Sequence, residues 1–295
     1  MRFVTFKKNS VIRVGLEILN RGIIDINKAN KNLPHDLNKI IKNYAEVEDQ
    51  IQNINNAQNI HYSIDEVKLL SPIPVPVRDI ICVGKNYAKH AKEVQKSSFS
   101  TLQEKKYVPN ELIIFNKATT SVIGPNDKIE LINDRTNTTD YEGELGVIIG
   151  KRSKNIKYSN ATDIIFGYTI INDVTARKLQ NNHKQWFIGK SPDTYCPMGP
   201  AIVTSDEISD VTKLKLMTKV NGDIRQDSIV ERLIFDIPTL ISTISKTMTL
   251  EICDVIATGT PAGVGIGFDP PIYLKTGDHV EVVIDNIGKL ENTVK

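Results

Sequence analysis

Beyond residue 79 this chain is written mainly in short β-branched runs, and that pattern restricts the fold more than any other feature. Residues 80–83, 112–115, 144–149, 164–171, 200–203, 215–220, 255–257 and 279–284 all read as strands. Helical spacing is confined to residues 87–95, 174–181 and 237–245. Strands that outnumber helices and do not alternate with them argue against a doubly wound parallel sheet, which needs a crossover helix for each strand. The expectation is a β-rich α+β fold.

The first seventy or so residues read differently. Two short strands (residues 3–6 and 12–15) precede an Asn- and Lys-rich stretch in which Leu37, Ile40, Ile41, Tyr44, Val47, Ile51 and Ile54 recur at helical spacing. Ser71-Pro-Ile-Pro-Val-Pro-Val77 then carries prolines at alternate positions, which fixes φ and extends each preceding residue. A boundary there gives a small N-terminal α/β domain over residues 1–73 and a larger domain over 74–295. At 295 residues the chain can bury a core without disulfides or a structural metal. Its three cysteines form no C-x-x-C pair, and Cys82 and Cys253 sit in apolar stretches, as reduced thiols do. Lys and Arg total 37 against 35 Asp and Glu, with no dense basic run, so a nucleic-acid partner is not expected. The charged, alternating N-terminus is no signal peptide, and no run of eighteen apolar residues suggests a membrane span. A soluble, cytoplasmic protein is expected.

The chemistry concentrates in a few segments. In Asp140-Tyr-Glu-Gly-Glu-Leu, Glu142 and Glu144 are two apart, so a strand sends them to one face, about 6.6 Å apart along the chain. Such a pair either ends a strand in solvent or converges on a hard divalent cation such as Mg²⁺, Mn²⁺ or Ca²⁺. Asp173 follows the apolar run 166–171, where strand ends hold active-site groups; it is equally placed to cap a helix starting at Val174. His90 and Glu93 are three apart on a helix, hence neighbours. They are either a surface pair or a carboxylate-oriented general base. Lys190 follows Gly189 amid apolar residues, a setting for binding a carboxylate or a developing oxyanion. The Lys190 segment fails as a phosphate loop because Lys184 stands where its first glycine belongs. Gly263, Gly265 and Gly267 fail as a dinucleotide loop because Phe268-Asp-Pro-Pro follows instead of a helix. They suit a tight loop presenting Thr260 and backbone amides to a ligand. With no G-x-S-x-G elbow and no Cys–His nucleophile pair, a metal with an activated water is the chemistry that remains.

Taken in order, Gly84-x-Asn-Tyr-x-x-His-x-x-Glu93, Tyr141-Glu-Gly-Glu-Leu145, Asn172-Asp-Val-Thr-Ala-Arg-x-x-Gln180, Gln185-Trp-x-x-Gly-Lys-Ser-x-Asp-Thr-x-Cys-Pro-Met-Gly-Pro200, Gly259-Thr-Pro-Ala-Gly-Val-Gly265 and Leu274-Lys-Thr-Gly-Asp278 resemble the fumarylacetoacetate hydrolase family, in its branch with a short N-terminal domain. The resemblance implies a mixed β-roll catalytic fold and a homodimer. It makes Glu142, Glu144 and Asp173 the ligands of one Mg²⁺ or Mn²⁺ ion, and His90 with Glu93 the water-activating dyad. Lys190, Thr260, Arg177 and Gln180 become the substrate-polarising and carboxylate-binding set. The polar segment 94–110 resembles a lid that orders on ligand binding.

The activity implied is hydrolysis of a C–C bond in a 2,4-dioxo acid, such as an acylpyruvate, to pyruvate and a carboxylic acid. The same site in the family also serves decarboxylation of oxaloacetate-like acids and isomerisation of unsaturated dioxo acids. A non-catalytic metabolite-binding dimer is the remaining alternative, and the intact carboxylates, dyad and lysine count against it.

Overall fold

Nearly every long β-branched run forms a strand because one or both of its faces can be buried. The computed structural model describes residues 1–96 and 108–295. Nine strands follow one another across the main sheet: Gly22–Asp25, Val11–Ile18, Arg2–Lys8, Cys196–Thr204, Ile165–Asn172, Gly143–Ile149, Val255–Ala257, Ile80–Gly84 and Ile113–Lys117. Two short strands, Lys68–Leu69 and Val122–Ile123, pair alongside this path. A second sheet runs Asp223–Ile229, Lys215–Val220, His279–Ile284, Gly288–Val294, Lys128–Ile129. The fold is β-rich α+β, as the strand pattern predicts.

Besides five two-residue strands, three longer ones are not expected from the sequence: Gly22–Asp25, Asp223–Ile229 and Gly288–Val294. The latter two belong to the second sheet and bury only part of their residues, so their sequences are largely polar and lack an apolar run. The helix expected over 174–181 begins at Arg177, because Thr175–Ala176 first pairs as a short strand with Thr139–Asp140.

The sheet crosses the expected boundary near residue 73. Arg2–Lys8 pairs antiparallel with Cys196–Thr204, aligning Phe3 with Ile202. The periodic apolar residues of the N-terminal stretch form two helices, Leu37–Lys42 and Tyr44–Ala57, meeting at Asn43. Leu37, Ile40, Ile41 and Ile51 enter one core with Ile80, Ile148 and Val255 of the main sheet. Tyr44 stacks edge-on against Phe166 at 5.0 Å, and Phe166 tilts against Phe3 at 5.6 Å. Burying large apolar side chains at about 25 cal/mol per Å² makes this shared core a main source of adhesion between the N-terminal unit and the rest. A second core lies between the other face of the main sheet, the smaller sheet and the amphipathic helix Ile237–Thr247. Among the described residues no helix is long and apolar enough to cross a membrane.

Candidate metal centre and proton-transfer dyad

Register builds the site. Strands Gly143–Ile149 and Ile165–Asn172 pair antiparallel with Gly143 opposite Asn172. The pairing extends one residue further, where the Asp173 amide donates to Glu142 O at 2.8 Å. The Asn172 side chain receives the Glu142 amide at 3.0 Å. Residues 30 apart in sequence are thereby locked side by side, and carboxylate oxygens of Glu142, Glu144 and Asp173 lie within 4.8 Å of one another. All three residues are buried, which removes the reading of a solvated strand end. Asp173 does not cap the following helix either, since that helix starts from Ala176.

Three buried cations hold this charge. Lys190 Nζ donates to Glu142 at 2.8 Å and Asp173 at 2.6 Å. Arg177 Nη1 lies 2.5 Å from Glu142, and its Nε donates to Asp140 at 2.9 Å. Lys117 Nζ lies 2.8 Å from Asp173 Oδ1, at an angle that leaves that oxygen without a donated hydrogen bond. Lys117 also donates to the carbonyls of Val174 and Lys190. Burial penalises the charged form of Glu142, but Lys190 and Arg177 outweigh it and hold that carboxyl well below the usual range. Glu144 is less well compensated. Burial, then the charges of Asp173 and Glu142, push it well above the usual range against the charge of Lys190 and an amide from Gly259 at 2.8 Å. Lys190 is held charged because Asp173 and Glu142 overcome its desolvation.

The residues therefore fit a divalent cation. Four buried carboxylates (Asp140, Glu142, Glu144, Asp173) face three buried cations (Lys117, Arg177, Lys190), one negative charge in excess. Glu144 and the orphaned Asp173 oxygen mark where that excess is least compensated. An all-carboxylate donor set suits a hard ion of the Mg²⁺ or Mn²⁺ kind.

The same cavity, about 370 Å³, is lined by Glu142, Glu144, Lys190, Arg177, Gln180, Thr260 and His90. Strand Ile80–Gly84 leads into helix Ala88–Lys96, and Asn86 pins the junction by bonding Thr258 O and both backbone groups of Phe235. His90 is 5% exposed, so the dyad is no surface pair. Its Nδ1 lies 3.3 Å from Glu93 Oε2. Among the described residues Arg177 Nη2 is buried with no hydrogen-bond partner, which leaves it a donor to spend on a ligand. The Thr260 hydroxyl donates to Gly143 O at 2.9 Å and accepts from Gln226 at 2.7 Å, so its hydrogen is already committed.

The glycine loop differs from expectation. Its amides serve the protein's own carboxylates: Gly263 N donates to Glu93, while Gly265 N and Ile266 N donate to Asp140. Asp140, Lys117 and Gln226 were not among the sequence candidates. Gln226 receives the Gly143 amide at 2.9 Å and so fixes the peptide between the two glutamates. Asp140 and Lys117 sit within or beside recognisable segments, but Gln226 arrives from the unanticipated strand Asp223–Ile229. The segment 94–110 expected to act as a lid falls in part on residues 97–107, outside the described residues.

Residues 79–295 match the model of the fumarylacetoacetate (FAA) hydrolase C-terminal domain. The chain is 42% identical to oxaloacetate tautomerase YisK of Bacillus subtilis, with all of both chains covered. It is also similar to the structure of a fumarylacetoacetate hydrolase from Exiguobacterium antarcticum. That likeness has a TM-score of 0.81 and 39% identity over 100% of this chain and 99% of the other. Maleylpyruvate hydrolase from Sphingobium sp. SYK-6, solved with manganese (II) and pyruvate, aligns at a TM-score of 0.79 and 29% identity, covering 100% and 98%. With the family model covering residues 79–295 and relatives matching along the whole chain, the protein belongs to the fumarylacetoacetate hydrolase family.

Proposed function

We propose that this protein interconverts the enol and keto forms of oxaloacetate-like 2-oxo dicarboxylic acids with a bound Mg²⁺ or Mn²⁺ ion. The observation that carries the reading is the shared cavity: Glu142 and Glu144 of the buried three-carboxylate cluster, Arg177 with its unspent donor, and His90 of the histidine–glutamate dyad line one space. The full-length likeness to an oxaloacetate tautomerase supports the choice of reaction.

Glu142, Glu144 and Asp173 would hold the ion, which supplies Lewis-acid polarisation of a 2-oxo acid. Arg177 Nη2 donates to a substrate carboxylate, a charge-assisted bond that fixes the acid's orientation. Gln180, whose oxygen lies 3.4 Å from Arg177 Nη1, borders the same wall. With Nδ1 of His90 against Glu93, Nε2 is the ring nitrogen left for chemistry. It takes a proton from C3 of the keto acid, and a proton is added at the 2-oxygen; nothing else is consumed. Lys190, held charged by Glu142 and Asp173, keeps positive potential beside the developing enolate.

Hydrolysis of a 2,4-dioxo acid is the second reading, favoured by the same dyad. His90 would then take its proton from a water attacking the distal carbonyl. Decarboxylation needs no such base. One panel separates the three: oxaloacetate and acylpyruvates, each with Mg²⁺, Mn²⁺ or chelator, followed by enol absorbance, CO₂ release and acid production. Tautomerisation accelerates decay of the enol signal without CO₂ or a second acid, and chelation abolishes the effect. An enol decay no faster than the buffer-catalysed rate with either metal rejects the proposal.

A further inference from the structure

The dyad rests on a side chain that is absent. The Glu93 carboxylate divides its oxygens, Oε2 toward His90 Nδ1 at 3.3 Å and Oε1 accepting from Gly263 N at 2.9 Å. It fills the space beside Gly267. A Cβ on Gly267 would lie 1.9 Å from Glu93 Oε1, 2.2 Å from Cδ and 2.3 Å from Cγ, and those are its three nearest neighbours. Gly267 does not have a left-handed φ, so a larger residue there meets no backbone strain. The closest conflict is with Glu93.

The loop cannot yield to relieve it. Tyr141 Oη donates to Gly263 O at 2.8 Å, and Asp140 accepts from Gly265 N at 2.6 Å and Ile266 N at 3.0 Å. On its far side Gly263 already crowds the Arg225 carbonyl, where a Cβ would fall 1.8 Å away. The loop is thus tied to the segment that carries the two glutamates, whereas Glu93 is the far end of a flexible arm. Any collision displaces Glu93, and displacement breaks both of its contacts.

We propose that Gly267 is a positioning residue for proton transfer: its bare α-carbon is the seat of the Glu93 carboxylate, so the orientation of His90 is set from the glycine loop as well as from its own helix. This rests on the reading of His90 and Glu93 as the proton-transfer pair. Because the three atoms nearest a Cβ at Gly267 all belong to Glu93 and none to the carboxylate cluster, its effect separates from metal binding.

The test is a double-mutant cycle of Gly267→Ala and Glu93→Ala in the full chain with Mg²⁺. Gly267→Ala should lower kcat on oxaloacetate about tenfold or more, the scale on which acid–base groups act. KM and the Mg²⁺ dissociation constant should stay within about twofold of wild type, and in the Glu93→Ala background Gly267→Ala should cost nothing further. Thermal melting gives a second reading that does not depend on turnover. Gly267→Ala should lower Tm when Glu93 is present and leave it unchanged when Glu93 is alanine. An undiminished kcat, or an equal loss in both backgrounds, overturns the proposal. If no 2-oxo acid is turned over, the functional reading falls while the melting cycle still decides the seat. Should Gly267→Ala fail to fold, recovery of folding in the double variant supports the seat, and failure there overturns it.

Discussion

The floor and the rim of the cavity are built by opposite means. On the floor, Glu142, Glu144 and Asp173 sit on or beside two paired central strands, with Lys117, Lys190 and Arg177 packed among them. On the rim, His90 and Glu93 ride a nine-residue helix, and Glu93 reaches the glycine loop through one amide. Like charges held within 4.8 Å repel, so the floor needs ladder hydrogen bonds and buried counter-charges to keep its shape. A proton carrier needs only orientation. Charge concentration is assigned to the sheet and proton transfer to a short helix anchored at its start by Asn86.

Substitutions in each region should therefore fail in different ways. The largest effect falls on the floor: Glu144→Gln should abolish metal-dependent turnover and Mg²⁺ binding, read by calorimetry and the enol assay. Binding that survives unchanged would dissolve the distinction. On the rim, His90→Ala should cost about 10²–10⁴ in kcat, the usual range for an acid–base group, with Mg²⁺ binding retained. Loss of metal binding there would merge the two regions.

Lys117→Met sharpens the floor. It strands the Asp173 carboxylate with one cation fewer, and breaking a buried pair from one side costs about 3–5 kcal/mol. Chemical denaturation should show that loss without metal and recover part of it with Mg²⁺, since an ion bound only by the folded state adds stability. Recovery absent at saturating Mg²⁺ would mean the triad holds no ion.

The smallest effect lies outside both regions. Asp236 caps helix Ile237–Thr247 through Thr239 N at 2.9 Å and receives the Tyr158 hydroxyl at 2.7 Å. Its modest burial opposes ionisation, yet these hydrogen bonds prevail and lower its pKa. Asp236→Ala should cost about 1 kcal/mol of stability with kcat unchanged. A carboxyl with a depressed folded-state pKa stabilises fully above its unfolded value and loses that contribution as pH falls through the folded one. The difference between wild type and Asp236→Ala should therefore shrink only under acid, below the ordinary carboxylate range. A difference that instead grows on acidification would reject the cap as its source.

Much of this site was legible because its parts are local. Glu142 and Glu144 two apart, and His90 and Glu93 three apart, each meet through the period of their own element. Gln226 carried no such signal. It enters the site from a polar strand of the second sheet, and its bonds to Gly143 and Thr260 span 83 and 34 residues. Arg177 was recognisable as a carboxylate binder, yet only the folded arrangement shows which of its nitrogens is unspent. For Thr260 the position was legible and its committed hydroxyl was not.

By itself the sequence determined the β-rich class, the order of motifs and the residue types that can bear charge and move protons. Those follow from periodicity and side-chain chemistry, which act over a few residues. Tertiary structure alone decided that the N-terminal strands continue the main sheet, that Asp173 lands beside Glu142, and that Gly267 leaves room for Glu93. Each of these depends on strand register or close packing between distant segments, and neither quantity is expressed in any short stretch of chain.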